Sequence, residues 1–483
     1  MRPARPSRPA GTAPRRALAA AAAVLAVLGL AAVGATSAAY TDRATAVTDA
    51  FTAPTTRFVP QPTYLAGTGT ALQDDGTIAV WGYRGNGLSG TGVASVAHAD
   101  TISLVTLPAD DHPDGRRRAV KVAGVSLDNY YPTDASYTGL AALSDDGRVY
   151  TWGGTQSNNI MGRTASPVPF NRPGQVAIPG TVVDLVSSAS VFLALTDTGD
   201  VYTWGYAQGR GVTGQGGAST SSSTPARILT GVHSIGAGVW NGWAVRGDGV
   251  YWWGWANGAG AYAGAPSGDN TTSNATSPTR STALSAYATS GCDAVGVVAG
   301  SPEDACTLQR LTGHYYGSQA VLADGTLLTW GNAVEWGTGR PSGTTAQNNT
   351  PTAITLAAGV TAVRVAPTED YVLVLGSDGH AYVWGRYSYA RGVDPGTGLV
   401  SSTNIREPAR MTALGEVVAV SGHGYTGGAL RADGTLVLWG GTTQGGSSNT
   451  YRTVRDSFAP TGIGIGSAQP LTALVLPGTE AAQ

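Results

Sequence analysis

Residues 428–440 read GALRADGTLVLWG. An apolar strand runs into Asp-Gly, a second strand follows, and Trp-Gly closes the segment. Asp-Gly between two apolar runs is a strong hairpin signal, because glycine adopts positive φ without strain. The second strand, Thr-Leu-Val-Leu-Trp at 435–439, is almost continuously apolar rather than alternating. That is the pattern of a strand covered on both faces, as in sheets stacked against neighbours. The tryptophan then supplies bulk between sheets, and the next glycine allows a tight exit.

Six further segments repeat the pattern: ALQDDGTIAVWG (71–82), AALSDDGRVYTWG (141–153), LALTDTGDVYTWG (193–205), WAVRGDGVYWWG (243–254), QAVLADGTLLTWG (319–331) and VLVLGSDGHAYVWG (372–385). Their tryptophans, with Trp439, are Trp81, Trp152, Trp204, Trp253, Trp330 and Trp384, so the unit is about 50 residues plus insertions. Two copies deviate: the third has Thr198 where the others carry Asp, and the fourth is one residue shorter between Asp248 and Trp253. Composition agrees with a turn-rich β protein. Of 483 residues 69 are glycine, about twice the usual share, and only 12% are charged. Such glycine density disfavours helices, and an apolar fraction of 42% disfavours disorder.

The pattern Gly-x-x-x-x-Ala-Leu-x-x-Asp-Gly-x-Val-x-x-Trp-Gly resembles the repeats of the regulator of chromosome condensation family, over about residues 66–478. The resemblance implies an all-β fold, a seven-bladed β-propeller. It implies less about function. The family's eukaryotic founder is a nuclear exchange factor for a small GTPase that also docks on nucleosomes. Other members are secreted bacterial binding proteins, including propellers that inhibit β-lactamases through aromatic-rich loops. Residues 473–478, ALVLPG, resemble the start of an eighth repeat. Ring closure by the termini is therefore expected, with residues near 55–66 or 471–476 completing the last sheet.

Residues 1–39 read as a secretory signal peptide: Arg2, Arg5, Arg8, Arg15 and Arg16, an apolar run from Ala17 to Ala35, then a small-residue exit. The run is also long enough for an uncleaved anchor, the one membrane association the sequence suggests. Residues 40–65 form an N-terminal segment that helps ring closure, and 479–483 a tail. Loss of five arginines takes the formal net charge from −2 to −7. An exported acidic protein lacks the basic footprint of a nucleic-acid binder. Localisation is expected to be secreted or cell-surface, and the state monomeric.

Cys292 and Cys306 are the only cysteines, and in an exported chain they read as a disulfide. The Thr/Ser-rich stretch 264–291 that leads to them is expected as a surface flap. The Asp-Gly aspartates Asp75, Asp146, Asp248, Asp324, Asp378 and Asp433 share one turn position, so their role is structural. Asp110 to Gly115 opens like a calcium loop, but His112 and Lys121 stand where ligand oxygens are needed. No catalytic, metal or cofactor motif emerges.

Aromatic residues in the loop before the Ala-Leu strand are the remaining candidates: Tyr137, Trp240, Tyr315, Tyr316, Tyr371 and Tyr425. Equivalent loops project from one face, where aromatics give large contact area for little lost entropy. A second set, Tyr83, Tyr206, Trp255, Trp336, Tyr387 and Tyr389, follows Trp-Gly. The expected function is an exported, non-enzymatic propeller that binds an extracellular protein or glycan through this face. The alternatives are an extracellular lyase or hydrolase acting at the channel, and a cell-surface structural module.

Overall fold

Each Asp-Gly segment forms the hairpin that its sequence predicts, and nearly all in the same register. Leu72 pairs with Ile78, Leu143 with Val149, Leu195 with Val201, Val321 with Leu327, Leu375 with Ala381, and Leu430 with Leu436. The short fourth copy closes more tightly, with Arg246 opposite Gly249. Asp75 and Asp324 cap their own turns, accepting from Thr77 N and Thr326 N at 2.8 Å. In the third copy Asp is replaced, and Thr196 Oγ1 accepts from Asp200 N at 3.0 Å instead.

The structure is a computed structural model. It describes residues 58–60 and 68–455, apart from 74, 86, 94, 127–137, 155–157, 257–265, 272, 288–289, 303, 333–336, 342–347, 388–391, 398–399, 424–425, 433–435 and 443–451. The signal segment and residues 473–478 lie outside the described residues. Each hairpin gains a strand on either side, giving five four-stranded antiparallel sheets and one eight-stranded sheet. The larger sheet is two four-stranded units joined by a single parallel bridge, Ala237 to Thr312. The units span 58–105, 119–176, 182–229, 234–281, 308–354, 362–410 and 417–455, and are numbered one to seven below.

Phe58–Pro60 is the first strand of unit one and lies ahead of the repeat span read from sequence. It also lies against the strands Val417–His423 and Thr426–Arg431 of unit seven. Ala71 and Ala79 of unit one share a core with Ala429, Val437 and Trp439 of unit seven. The first and last units therefore pack together, and each takes its four strands from one continuous stretch of chain. Of the stretch 55–66, the described residues Phe58–Pro60 thus belong to the first sheet.

The repeated tryptophans join successive units. Trp152, Trp204, Trp253, Trp330, Trp384 and Trp439 are fully buried. Three indole N–H groups reach back one unit: Trp152 donates to Leu88 O at 3.0 Å, Trp204 to Ile160 O at 3.1 Å and Trp253 to Val212 O at 3.0 Å. Each acceptor lies in the loop after the previous Trp-Gly. A glycine two residues further along that loop, Gly90, Gly162 or Gly214, presses on the same indole. At Gly214 the demand is double, since φ is +69° and an added Cβ would sit 2.9 Å from Trp253 Cδ1. The glycine-rich loops after Trp-Gly are thus tryptophan cradles.

The stretch 264–291 is only partly a loop. Ala275–Ser281 is the outer strand of unit four, paired with Gly249–Gly254, and Thr282–Ser285 forms one helical turn. Its alternating Thr and Ser suit an outer strand, with one face in water.

Candidate partner-binding face

Four antiparallel strands per unit place the loops after strands one and three at one end, and the Asp-Gly turns at the other. At the first end, the loop after strand one is a recurrent tight turn. Ser188 N donates to Val191 O, Gly238 N to Asn241 O, His314 N to Gly317 O and Thr368 N to Tyr371 O, at 2.8 to 3.0 Å. Its two central residues are Ala189-Ser190, Val239-Trp240, Tyr315-Tyr316 and Glu369-Asp370 in units three to six.

This register sorts the sequence candidates. Trp240, Tyr315 and Tyr316 occupy central turn positions. Tyr371 does not: it is the first residue of the strand Tyr371–Gly376, fully buried and edge-on to Tyr387 with centroids 5.3 Å apart. Tyr371 is therefore core between units six and seven, a correction to its reading as a contact residue. The turn positions of unit six belong to Glu369 and Asp370, both largely buried. Tyr137 and Tyr425 lie outside the described residues, as do Trp336 and Tyr389. In the second set Tyr387 is buried, while Tyr206 and Trp255 are half-buried.

Arginines tie the aromatics together, and sequence reading missed them. Arg210, from the loop after strand three of unit three, lies between Trp240 and Trp255 of unit four, 4.4 Å from each ring centroid. Its Nη1 donates to Gln208 Oε1 at 2.7 Å. Burial pulls its pKa down, partly offset by the nearby Tyr315 hydroxyl. Arg386, from the corresponding loop of unit six, lies over Tyr316 of unit five at 5.6 Å and donates to its hydroxyl at 2.9 Å. Tyr315 meets Tyr316 edge-on at 5.3 Å. Three aromatics and two arginines thus run continuously over units three to six, with Trp240 packed beneath them. The only sequence trace of Arg210 is Gly-Arg-Gly at 209–211, where the flanking glycines take φ of +70° and +71°.

Beneath this end, His314 is fully buried, and burial lowers its pKa to about 4, so its ring is neutral. Its Nε2 lies 3.1 Å from Gly337 O and donates to it.

The Asp-Gly end is built differently. Arg117, with a side chain only 1% exposed, donates to both carboxylate oxygens of Asp146 at 2.9 to 3.1 Å and to Asp111 at 2.9 Å. Arg148 also pairs with Asp111. Hydrogen bonds from Arg148 and Arg117 hold the Asp111 carboxyl near 2. Asp111 of the calcium-like loop thus faces two guanidinium groups. Cys292 and Cys306 form the expected disulfide. Beside it, His233 Nε2 lies 2.8 Å from Asp304 Oδ1 and Nδ1 lies 2.7 Å from Ala294 O. Two acceptors call for a doubly protonated ring. Burial alone would lower the His233 pKa, but these hydrogen bonds and the Asp304 charge raise it overall. His233, Asp304 and Cys306 converge, yet the Cys306 sulfur is bonded to Cys292 and gives no thiolate for a metal.

Stacked four-stranded antiparallel units, with first and last in contact and loops gathered at two ends, define a β-propeller. No family model matches the chain. Among curated proteins it is similar to protein pim1 of Schizosaccharomyces pombe, 28% identical over 264 residues, which cover 51% of this chain and 44% of that protein. It is also similar to the mitochondrial RCC1 domain-containing protein RUG3 of Arabidopsis thaliana, 30% identical over 152 residues, covering 29% and 30%. The match thus spans less than half the length of either relative. Among solved structures, Prp20p of Saccharomyces cerevisiae aligns with TM-score 0.56 at 17% identity, over 77% of this chain and 90% of that one. Human WBSCR16 aligns with TM-score 0.57 at 19% identity, over 76% and 84%. Repeats and fold together make the chain similar to proteins of the regulator of chromosome condensation repeat family.

Proposed function

We propose that this propeller is an exported, non-enzymatic binding protein that docks a protein partner through the end bearing Arg210, Trp255, Tyr315, Tyr316 and Arg386. The observation that carries the reading is the continuous aromatic and arginine cluster over units three to six. Trp, Tyr and Arg are the residues over-represented where interfaces concentrate their binding energy. One structural neighbour supports protein binding as a class: yeast Prp20 is described as bound by Kap60 and as having binding properties to Gsp1p and histones. The basic N-terminus and apolar run support export, which moves the partner outside the cell.

Site-specific photo-crosslinking tests the face. A crosslinker at Tyr206, beside the cluster, is expected to trap one defined extracellular protein, and the Trp255→Ala/Tyr315→Ala variant is expected to lose it. A crosslinker at Asp110, on the Asp-Gly end, is expected to trap none. Equal trapping from both ends would reject the assigned face.

A further inference from the structure

We infer that Arg210 is the recognition point for a carboxylate, an Asp or Glu side chain presented by the protein partner. The inference deepens the docking reading and rests on it. The guanidinium carbon lies over two indoles, 4.4 Å from the Trp240 ring centroid and 4.4 Å from that of Trp255. A guanidinium held over aromatic rings bonds through its in-plane N–H edges, and those edges match a carboxylate in bidentate geometry. Gln208 takes one donor, at Nη1. No carboxylate lies within ion-pair distance of Arg210 among the described residues. The adjoining stretch 257–265, NGAGAYAGA, carries no acid in its sequence.

A second observation points the same way. Trp240, only 7% exposed, has an indole N–H with no acceptor among the described residues, in the same ring that the guanidinium lies over. The next residue, Asn241, is 8% exposed and its Nδ2 likewise has none. Unsatisfied buried donors are costly, and natural sites that keep them call for a reason. Donors in excess beside an unopposed cation favour an anionic acceptor. The surrounding Trp and Tyr favour a protein side chain over an acidic glycan.

Poly-L-glutamate is the probe, titrated against the full chain with tryptophan fluorescence as the readout. The net charge of −2 repels this polymer, so saturable binding requires a specific cation. R210Q is expected to weaken binding by about 30-fold or more, as for loss of one partner of a buried charge pair. R210K should fall between, because an ammonium cannot replace the planar fork. A single cooperative transition with a midpoint within about 4 °C of wild type verifies folding. Glutarate and its uncharged diamide, as competitors on the wild-type protein, need no variant; only glutarate should displace the polymer. Absent binding to wild type, equal binding to R210Q, or displacement by the diamide overturns the inference. Tighter binding of polygalacturonate would reassign the site to an acidic glycan. If R210Q still crosslinks the partner at Tyr206, the carboxylate assignment falls while the docking face stands. If wild type traps nothing at Tyr206, the face itself falls.

Discussion

Arg117 is a buried guanidinium and Arg210 a half-buried one, at opposite ends of the propeller. Arg117 is saturated by Asp146 and Asp111 and joins the loop 106–118 to the turn of unit two. Arg210 has two indoles, one amide oxygen and no carboxylate among the described residues. A cation with its charge balanced inside the chain serves the fold. One balanced by nothing the described residues supply is poised for something outside. The histidines repeat the contrast, with His233 held charged by Asp304 at one end and His314 held neutral at the other.

The sharpest test exchanges each arginine for alanine. Arg117→Ala leaves Asp146 and Asp111 with Arg148 as their shared guanidinium and is expected to lower unfolding free energy by about 3 kcal/mol. That is the lower end for a broken buried pair, because Asp146 keeps some access to solvent. Arg210→Ala should cost only about 1 kcal/mol, the scale of its ring stacking, while removing partner capture. Denaturant titration of both variants measures the difference. Equal losses would mean that Arg210 is as structural as Arg117.

The next test falls on the joints that hold both ends at a fixed spacing. Gly214→Ala forces a side chain into positive φ and onto Trp253, and is expected to cost about 2 kcal/mol. Gly115→Ala, also at positive φ but with open space around its Cβ, should cost less. The sequence displayed the hairpins because their parts are local: Leu143, Asp146, Gly147 and Val149 lie within seven residues. It displayed the cradles only as glycine-rich loops, because Trp152 meets Leu88 across 64 residues. The candidate face was half legible for a similar reason. Trp240, Tyr315 and Tyr316 could be counted from the Ala-Leu strand. Tyr371 was displaced by one position, and a one-residue slip turns a loop residue into a core residue. Arg210 and Arg386 sit in loops of variable length, where no register could be counted.

Titration separates the two histidines by sign. The His233 pKa is raised, so its contribution is full below about 6.5 and is lost as pH rises through the folded value. His314 is lowered to about 4, so the unfolded chain binds more protons between about 6.5 and 4, and stability falls as pH drops through that window. His233→Gln should flatten the alkaline limb of the midpoint-versus-pH curve and leave the acid limb. His314→Gln should do the reverse. The depressed Asp111 adds a further loss as pH falls from the usual carboxylate range to about 2, and the lowered Asp146 a loss in the same direction. Amide exchange across 290–307 should speed up with pH beyond its intrinsic dependence, because His233 and Asp304 brace that segment. An exchange rate there that follows only the intrinsic dependence would show that the pair is neutral.

The smallest expected effect isolates what one turn position does when nothing else leans on it. Asp324 and Asp146 are equivalent in the repeat, and the sequence gives no ground for telling them apart. Asp324 accepts from the backbone of Thr326 at 2.8 Å and stands exposed. Asp146 instead accepts from the Ser144 hydroxyl at 2.5 Å and from Arg117. Asp324→Ala should therefore cost about 1 kcal/mol or less, the net worth of one hydrogen bond. Asp146→Ala should exceed it by the penalty of leaving Arg117 buried with Asp111 as its one remaining carboxylate. If the two costs are equal, the ion pairs of the Asp-Gly end contribute nothing beyond the turn. The contrast between a balanced and an unbalanced arginine would then have to rest on Arg210 alone.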